Sequence, residues 1–376
     1  MTSPETHKKH VELNRAAVGQ FHRSEVAILG TTCDAVKEFV HQIKSLFPEN
    51  NIAYADESHA ADDPKEGNKN TSWLKHHNQI ELNSSYPDNR FQRNFSLSQA
   101  DCVIVNGNHF ESTTQVVVCN PEKENSLRKR KDQLTQVTAI LLTGNQTIVP
   151  DYVTELAGST TSFHISDTQK LSQFFLENYL KPAPLKGLIM AGGKSLRMGQ
   201  DKPWINFNGL PQVLFLSEIM KRSGIDTWIS CREEQRDNFE SQGLKTISDR
   251  ILNFGPLGGI ASAFMTDPNT AWLVLASDIP LFDEAMLLEL MTARQTGGSA
   301  TSFVSPHDGM PEPLAAIWEP RIYQQIMQFI SLGYTCPRKV LMNTSAHLIQ
   351  ATIPEKLMNV NTPGDLVNMH NLKSKA

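Results

Sequence analysis

Short apolar runs alternate with longer amphipathic stretches along most of this chain. Runs rich in Val, Ile, Leu and Ala are typical of buried strands. They lie at 26–29, 52–55, 102–105, 115–119 and 139–142, and again near 186–190, 226–231, 272–276, 300–304 and 313–317. Between them apolar residues recur at helical spacing, for instance over 35–46. Strands that alternate with helices predict an α/β protein with parallel sheets.

One break in this pattern divides the chain into two domains. Helical spacing over 171–180 ends at Lys181-Pro-Ala-Pro-Leu-Lys186, where neither proline can continue a helix. A length of 376 residues also favours two domains over one. We predict a first domain at 1–180, a linker at 181–186 and a second domain at 187–372. Residues 56–94 are rich in Asp, Asn, Lys and His, and we expect a partly mobile segment there.

Composition and charge exclude several classes of protein. No apolar run is long enough to span a membrane, and the polar N-terminus lacks the apolar core of a signal peptide. We therefore expect a cytoplasmic protein with no membrane partner. The formal charge of −5 gives no electrostatic case for binding nucleic acid. The five cysteines are scattered without a Cys-x-x-Cys pair, which argues against structural zinc and a disulfide framework.

The densest cluster of candidate chemistry follows the apolar run that ends at Met190. The chain continues as Ala191-Gly192-Gly193, and paired glycines let backbone N–H groups approach a ligand closely. The loop that follows contains Ser195 and the cations Lys194, Arg197 and Lys202, which can neutralise phosphate. The spacing differs from that of a Walker loop, Gly-x4-Gly-Lys-[Ser/Thr]. We predict a nucleoside triphosphate site; an ordinary strand–helix turn with solvated cations is the alternative.

Three further strand ends of the second domain carry polar side chains. Ser230 and Arg232 close one strand, Asp249 follows the next, and Asp278 follows the apolar run 272–276. Ligands of open α/β sheets bind at the carboxyl ends of strands, so these residues are candidate nucleotide contacts. A carboxylate placed there suits Mg²⁺, and we predict Asp278 as the metal ligand, with a helix or turn cap as the alternative. For Asp249 we predict a ribose contact, again with a cap as the alternative.

Taken in order, these motifs resemble the molybdenum cofactor guanylyltransferase family. The family pattern Leu-Ala-Gly-Gly-x-Ser-x-Arg-Met-Gly-x-Asp-Lys appears at 190–202, with Met190 in place of the usual Leu. Four later segments are similar to further family motifs: Gly255-Pro-Leu-Gly-Gly259, Ser277-Asp-Ile-Pro280, Pro313-Leu314 and Asn359-Val-Asn-Thr-Pro363. The resemblance covers residues 185–372.

The resemblance implies both a fold and a reaction. The fold would be a Rossmann-like nucleotidyltransferase sheet, and the reaction would be Mg²⁺-dependent transfer of GMP from GTP to the terminal phosphate of molybdopterin, with release of pyrophosphate. Arg197 and Lys202 would neutralise the triphosphate, and Asp278 would hold Mg²⁺. The other nucleotide contacts would be Met190, Ala191, Gly192, Gly193, Ser230 and Asp249, and the contacts to the pterin would be Gly258, Gly259, Asn359 and Asn361. For the last four residues, helix packing or an Asx turn explains the pattern equally well.

The choice of nucleotide base depends on one glycine. Related cytidylyltransferases usually carry Ala-Ala-Gly where this chain has Ala191-Gly192-Gly193. The smaller residue leaves room for the edge of a purine and favours GTP. Two rival functions stay open: a transferase of the same fold that uses CTP or a sugar phosphate, and a non-catalytic regulator that binds nucleotide or cofactor.

The first domain carries a weaker resemblance. After Gly30 the chain begins like a phosphate loop, but residues 35–37 (Ala-Val-Lys) stand where Gly-Lys-[Ser/Thr] is required. Asp101-Cys-Val-Ile-Val-Asn-Gly107 resembles a segment of the GTP-binding accessory protein of molybdopterin-guanine dinucleotide synthesis, with Asn106 in place of an acid. We predict a degenerate P-loop-like α/β domain that does not hydrolyse GTP and that docks to molybdoenzymes or to proteins of cofactor synthesis.

Overall fold

The computed structural model describes residues 20–57, 71–76, 79–84, 90–158, 160–193, 202–207, 209–360 and 365. These residues form two compact units, one of His22–Pro182 and one of the residues from Ala183 onward together with Gln20 and Phe21. The prediction that assigned residues 1–180 to the first domain is therefore wrong for Gln20 and Phe21. The main division falls between Pro182 and Ala183. This point lies inside the segment 181–186 that was predicted as a linker. The end of that segment is not a linker, because a strand of the second unit begins at Leu185.

The first unit is built on a parallel sheet of six strands. The strands of this unit are β1 (Ser24–Leu29), β2 (Ile52–Ala55), β3 (Thr71–His76), β4 (Gln79–Ser84), β5 (Cys102–Asn106), β6 (Gln115–Cys119), β7 (Val137–Leu142) and β8 (Ser162–His164). The helices are α1 (Cys33–Leu46), α2 (Arg90–Ser96), α3 (Glu124–Lys129), α4 (Asp151–Ala157) and α5 (Thr168–Asn178). The order in the sheet is β2-β5-β1-β6-β7-β8, and β3 and β4 form a separate antiparallel pair.

Apolar side chains cover both faces of this sheet. One cluster joins Phe39 of α1 and Phe175 of α5 to the strands. A second cluster joins Leu127 of α3 and Val153 of α4 to the alternate strand residues. Because a parallel sheet is buried on both faces, its strands appear in the sequence as continuous apolar runs. The α/β class predicted for this half is confirmed.

The expectation of a mobile stretch at 56–94 is wrong in part. Strands β3 and β4 pair residue by residue within it, with Trp73 opposite Leu82, and α2 begins at Arg90. Backbone hydrogen bonds between neighbouring segments stabilise such a pair. An average composition does not reveal this pairing.

The turn between β1 and α1 is too short for a Walker loop. Only Gly30, Thr31 and Thr32 separate the strand from the helix. Gly30 has a φ of +85°, and an added Cβ would lie 2.3 Å from the carbonyl oxygen of Val118. Close packing therefore accounts for this glycine. The P-loop-like identity of the unit stays a prediction.

The second unit contains a sheet of seven strands. The strands are β9 (Leu185–Met190), β10 (Asp226–Cys231), β11 (Lys245–Ser248), β12 (Ala271–Ala276), β13 (Ala300–Val304), β14 (Pro311–Trp318) and β15 (Ala346–Ile349). The helices are α6 (Gln212–Arg222), α7 (Arg236–Glu240), α8 (Gly255–Thr266), α9 (Glu284–Thr292), α10 (Tyr323–Ser331) and α11 (Pro337–Met342). The order in the sheet is β11-β10-β9-β12-β14-β13-β15.

The prediction of a parallel sheet is wrong for one strand of this unit. Strand β14 runs antiparallel to both of its neighbours, β12 and β13. Only residues 305–310 connect β13 to β14. A parallel crossover needs a much longer connection, whereas a short one returns the chain beside itself as a hairpin.

Strand β12 lies inside the sheet, between β9 and β14, and every one of its residues is buried. Leu273 and Leu275 belong to one apolar cluster, and Trp272 and Val274 belong to another. A slip of one residue would exchange these two sets of side chains, so burial fixes the register of the strand. The residues immediately after β12 are therefore held at a defined place.

Candidate active site

The carboxyl ends of four parallel strands meet at one edge of the second sheet. Met190 of β9 pairs with Ser230 of β10 and with Ala276 of β12, and Cys231 of β10 pairs with Ser248 of β11. Backbone hydrogen bonds extend the ladder beyond the strands. The three donor–acceptor pairs are Ala191 N to Ser230 O at 2.8 Å, Asp249 N to Cys231 O at 3.2 Å and Ser277 N to Met190 O at 3.3 Å.

A cavity of ≈ 230 Å³ opens at this edge. Its lining residues are Met190, Ala191, Gly192, Gly193, Pro203, Ser230, Asp249, Gly255, Pro256, Ala276, Ser277, Asp278 and Leu314. The structure thus brings together seven of the residues predicted to contact the nucleotide: Met190, Ala191, Gly192, Gly193, Ser230, Asp249 and Asp278. At Lys202, which was also predicted, the backbone begins a short 3-10 helix at Lys202–Trp204. Arg197 lies outside the described residues.

Asp278 is half-buried at the cavity wall, and two hydrogen bonds hold the turn that carries it. The Gln212 side chain, fully buried at the start of α6, donates from Nε2 to the carbonyl oxygen of Ile279 at 3.2 Å. The backbone N–H of Val360 donates to the carbonyl oxygen of Asp278 at 2.8 Å. These hydrogen bonds therefore connect the turn to helix α6 and to the segment that ends at Val360.

Asp249 is the second carboxyl of the cavity. Burial raises its pKa to about 6, although a hydrogen bond from the Ser230 hydroxyl and the positive charge of Arg232 act in the opposite direction. Its Oδ1 atom is buried and finds no hydrogen-bond partner among the described residues. Leaving a buried acceptor unsatisfied costs about 1–3 kcal/mol, so Oδ1 of Asp249 is available to accept a hydrogen bond from a group that enters the cavity.

The fold itself gives no reason for glycine at two positions of the cavity wall. An added Cβ at Gly192 would meet its nearest described atoms at 3.7 Å, and one at Gly193 would meet none within 4 Å. Neither residue has a positive φ. The described residues therefore leave room for a Cβ in ordinary van der Waals contact at Gly192 and open space at Gly193.

Gly258 and Gly259 behave differently, and their assignment as pterin contacts finds no support. Both are buried in α8, and neither lines the cavity. An added Cβ at Gly258 would lie 2.5 Å from the carbonyl oxygen of Ile251, and one at Gly259 would lie 2.4 Å from Ser230 Oγ. Close packing of α8 against the sheet accounts for both glycines. Gly255 and Pro256, at the start of the same helix, line the cavity instead.

The asparagine motif was assigned to the pterin side as well. Asn359 is exposed, and Asn361 lies outside the described residues. The residue between them, Val360, is buried at 1% exposure and is bonded to Asp278 as given above. The segment thus ends beside the predicted metal turn.

Sequence reasoning missed Gln235, whose side chain is hydrogen-bonded to the residues that follow β9 and β10. Its Nε2 donates to the carbonyl oxygen of Ala191 at 3.4 Å, and its Oε1 accepts from the backbone N–H of Arg232 at 3.1 Å and from Arg232 Nε at 3.3 Å. The side chain is only 7% exposed. Gln235 lies in the 3-10 helix Glu233–Gln235, beyond the strand end, and no motif marks it. Gln212 was missed for the same reason.

The donor set of the cavity suits a metal ion that is held mainly by its substrate. Within the described ranges, no group of three His, Cys, Asp or Glu residues is placed to hold a metal ion on its own. Asp278 offers a carboxylate at the cavity wall. Mg²⁺ is commonly bound by one or two carboxylates and completes its octahedral shell with water and phosphate oxygens. The residues present therefore fit Mg²⁺ better than a metal ion whose ligands all come from protein side chains.

Comparison with known proteins places the second unit in a family. Residues 187–348 match the family model described as the MobA-like NTP transferase domain. The molybdenum cofactor guanylyltransferase of Pseudomonas paraeruginosa is 32% identical over 193 residues, which cover 50% of this chain and 96% of that protein. The chain belongs to the MobA-like NTP transferase family. Its MobA-like domain is a nucleotidyltransferase.

Two further relatives of this MobA-like chain show how far the similarity extends. The molybdenum cofactor biosynthesis bifunctional protein of Synechocystis is 30% identical over 182 residues, and the chain spans 52% of its length. The molybdopterin-guanine dinucleotide biosynthesis protein A of Archaeoglobus fulgidus, a solved structure, is 22% identical with a TM-score of 0.43, covering 51% of this chain and 100% of that one. In the part of the MobA-like chain that the structure describes, every helix is too short or too polar to cross a membrane.

Proposed function

We propose that this chain transfers GMP from GTP to the terminal phosphate of molybdopterin and releases pyrophosphate. The observation that carries the proposal is the cavity that gathers Gly192, Gly193, Asp249 and Asp278 at the carboxyl ends of parallel strands. Open α/β sheets bind nucleotides at such an edge. The choice of GTP and molybdopterin is supported by relatives whose name is molybdenum cofactor guanylyltransferase.

The proposed reaction is an in-line displacement at phosphorus. An oxygen of the terminal phosphate of molybdopterin forms a bond to the α-phosphorus of GTP, and the bond from that phosphorus to the bridging oxygen breaks. Because the nucleophile is already an anion, no general base is required. The task of the protein is positioning and charge neutralisation. We assign the neutralisation to Arg197 and Lys202 from the sequence pattern alone.

Mg²⁺ belongs to the proposal, with Asp278 as its protein ligand. When bound, Mg²⁺ would supply positive charge to the phosphate oxygens of the substrate. Hydrogen bonds from Gln212 to the Ile279 carbonyl and from Val360 to the Asp278 carbonyl hold the backbone of the turn that carries this carboxylate.

Asp249, Gly192 and Gly193 are the proposed contacts to the nucleoside. The unsatisfied Oδ1 of Asp249 can accept a hydrogen bond from a ribose hydroxyl. The absence of a side chain at Gly192, where related cytidylyltransferases carry Ala, favours a purine over a pyrimidine. Transfer from CTP or to a sugar phosphate, and binding without catalysis, are the alternatives that an experiment must separate.

The decisive experiment measures pyrophosphate release by the purified chain with Mg²⁺ and molybdopterin, offering GTP, CTP, ATP and UTP separately. We expect release with GTP only, and only when the acceptor is present. Release of pyrophosphate with CTP would identify the protein as a cytidylyltransferase of the same fold. Binding of GTP without release, also when sugar phosphates are offered as acceptors, would favour the regulator.

The first unit enters the proposal as a docking domain in the cytoplasm. We propose that it contacts molybdoenzymes or proteins of cofactor synthesis and that it lacks GTP hydrolysis. The short turn between β1 and α1 supports the second statement, because it leaves no room for a Walker loop. Unchanged cofactor delivery in cells by a chain without residues 1–180 would contradict the docking role.

A further inference from the structure

A second group of reactive side chains lies in the first unit, far along the chain from the nucleotidyltransferase motifs. The strand order in the sheet is β2-β5-β1-β6-β7-β8. The connection that leaves β1 leads to β2, on one side of β1, and the connection that leaves β5 leads to β6, on the other side of β1. The strand order therefore reverses at β1, and the crevice at such a point is where parallel α/β sheets bind ligands. Cys33 follows β1, Asp56 follows β2, and His109 follows β5.

These residues are arranged as a nucleophile, a base and carboxylates. The Sγ atom of Cys33 lies 3.4 Å from Nε2 of His109. The other ring nitrogen of His109, Nδ1, lies 3.5 Å from Oε2 of Glu57, and Nε2 lies 3.8 Å from Oδ1 of Asp56. A nucleophile within reach of a base, with a third group that orients the base, is the geometric signature of an activated nucleophile.

The carboxylate of Asp56 is itself held in its charged form. Burial acts to raise the pKa of Asp56, but three hydrogen bonds bring it below its ordinary value. The donors are the Tyr54 hydroxyl at 2.6 Å, the Glu57 amide at 2.9 Å and the Asn106 side chain at 2.9 Å. Glu57 is 66% exposed at its side chain, so its carboxylate faces water beside the histidine. The guanidinium of Arg130 donates a hydrogen bond to the side-chain oxygen of Asn108 at 2.9 Å.

Cys33 also differs from the other cysteines of the chain. It is partly exposed and is the first residue of the 14-residue helix α1. Cys102, Cys119 and Cys231 are buried, and burial raises the pKa of each; for Cys119 the value is about 11 and for Cys231 about 12. Cys336 is exposed, and the basic residues Arg338 and Lys339 follow it.

We propose that Cys33, His109 and Glu57 form a second reactive centre, which exchanges its thiol with small-molecule disulfides that carry positive charge. His109 takes the proton from Cys33, and the thiolate sulfur forms a bond to one sulfur of the disulfide. The S–S bond of that disulfide breaks, and the departing thiolate takes the proton from His109. One disulfide is consumed and one is formed, so no further oxidant is needed. The carboxylates of Asp56 and Glu57 select against negatively charged partners.

The test uses two disulfides of opposite charge on the full-length chain. Cystamine carries two ammonium groups, and 5,5′-dithiobis(2-nitrobenzoate) carries two carboxylates. Mass spectrometry follows adduct formation in the variants Cys336→Ser, which leaves Cys33, and Cys33→Ser, which leaves Cys336. We expect the ratio of cystamine rate to nitrobenzoate rate to be at least about tenfold higher for Cys33 than for Cys336. An equal or lower ratio would overturn the charge selectivity.

Two substitutions in the Cys336→Ser background separate the roles of the base and the carboxylate. His109→Gln should slow both disulfides at Cys33 by at least about tenfold, because the thiol loses its base. Glu57→Gln, at an exposed position that leaves thermal unfolding unchanged, should lower the rate with cystamine and raise the rate with the anionic disulfide. Rates that do not respond to either substitution would overturn the proposal.

Discussion

The backbone N–H of Val360 donates a hydrogen bond to the carbonyl oxygen of Asp278 at 2.8 Å. The two residues are distant in sequence, yet the bond joins the Asn-x-Asn motif to the carboxylate that we assign to Mg²⁺. Further contacts fasten the same segment: Lys356 pairs with Asp283, and the Thr352 amide donates to Glu289 at 2.9 Å. The end of the described chain therefore helps to set the position of the turn after β12.

The bond from Val360 can be removed without changing its acceptor. Val360→Pro lacks the N–H donor, so we expect the turn to loosen and kcat for pyrophosphate release to fall by about tenfold. Val360→Ala keeps the donor and removes two buried methyl groups, so it shows what lost packing alone does. An equal loss of kcat in both variants would mean that packing, and not the hydrogen bond, matters.

Substitution of Asp278 tests the metal assignment. In Asp278→Asn the charge is lost at nearly constant shape, and we expect kcat to fall by about 10²–10³, the size of one lost electrostatic stabiliser. Asp283→Asn is the comparison variant: asparagine still caps α9 by accepting from the Met286 amide, but the ion pair with Lys356 is lost, so its effect on kcat measures how much the fastening of the turn contributes. Full activity of the Asp278 variant at ordinary Mg²⁺ concentration would exclude it as a ligand.

Gln235 offers a test of how the cavity wall is positioned. Gln235→Glu keeps an acceptor for Arg232 but loses the Nε2 donor to Ala191, whereas Gln235→Leu loses both interactions. We expect KM for the nucleotide to rise several-fold in the glutamate variant with little change in thermal stability. The leucine variant should lose stability as well, because the Arg232 backbone N–H loses its partner. If KM for the nucleotide is unchanged in both variants, the hydrogen bonds of the Gln235 side chain have no role in nucleotide binding.

The buried carboxyl of Asp249 predicts a pH dependence of stability. Its ordinary pKa is 3.8 and its folded value is about 6, so between these values the folded state binds more protons than the unfolded state. Stability contributed by the neutral carboxyl is present below about pH 4 and is lost as pH rises through 6. Asp249→Asn should therefore stabilise the fold at pH 8 by on the order of 1 kcal/mol and leave it unchanged at pH 4.

A second aspartate provides a control of opposite sign. A hydrogen bond from the Met310 amide lowers the pKa of Asp308, so its charged form stabilises the folded state. Asp308→Asn should therefore destabilise the fold at neutral pH, with an effect that vanishes in acid. Thermal unfolding across pH measures both variants, and a shift of the same sign in both would contradict the assignment.

The glycines of the second unit divide into two groups that alanine can distinguish. Gly192→Ala and Gly193→Ala should leave thermal stability within about 0.5 kcal/mol, because the described residues leave room for a Cβ, and should raise KM for the nucleotide. Gly258→Ala and Gly259→Ala should destabilise the fold by about 1–3 kcal/mol, because each Cβ would overlap a packed atom. Unfolding curves and nucleotide titrations together check all four variants. A rise in KM without loss of stability at Gly259 would restore its assignment as a ligand contact.

Part of this site could be predicted from local sequence because its signals are local. The apolar run before Ala191 and the run 272–276 mark buried strands, since strands covered on both faces admit few polar residues. Residues that follow such runs lie at strand ends, and the strand ends of a parallel sheet meet at one edge. For this reason Met190, Ser230, Asp249 and Asp278, far apart in the chain, could be assigned to one cavity in advance.

Other features arise only when distant segments pack together. The direction of β14 follows from a short connection, whereas the run of apolar residues in it is the same for either direction. Gln235 acts through Ala191, which precedes it by more than forty residues, and no local pattern marks such a pair. The unusual pKa of Asp249 and the approach of Cys33 to His109 depend on burial and distance in three dimensions.

The sequence by itself determined the longer buried strands, the division near residue 182 and the residues that stand at the strand ends, because side-chain burial imposes a repeating pattern on each such element. It did not reveal β3, β4, β8 or β15. The tertiary structure decided which glycines pack and which face the cavity, which side chains brace the turn of Asp278, and which cysteine meets a base. These properties depend on contacts between segments that the chain brings together only on folding. A pattern within one segment carries no information about its partner across the sheet.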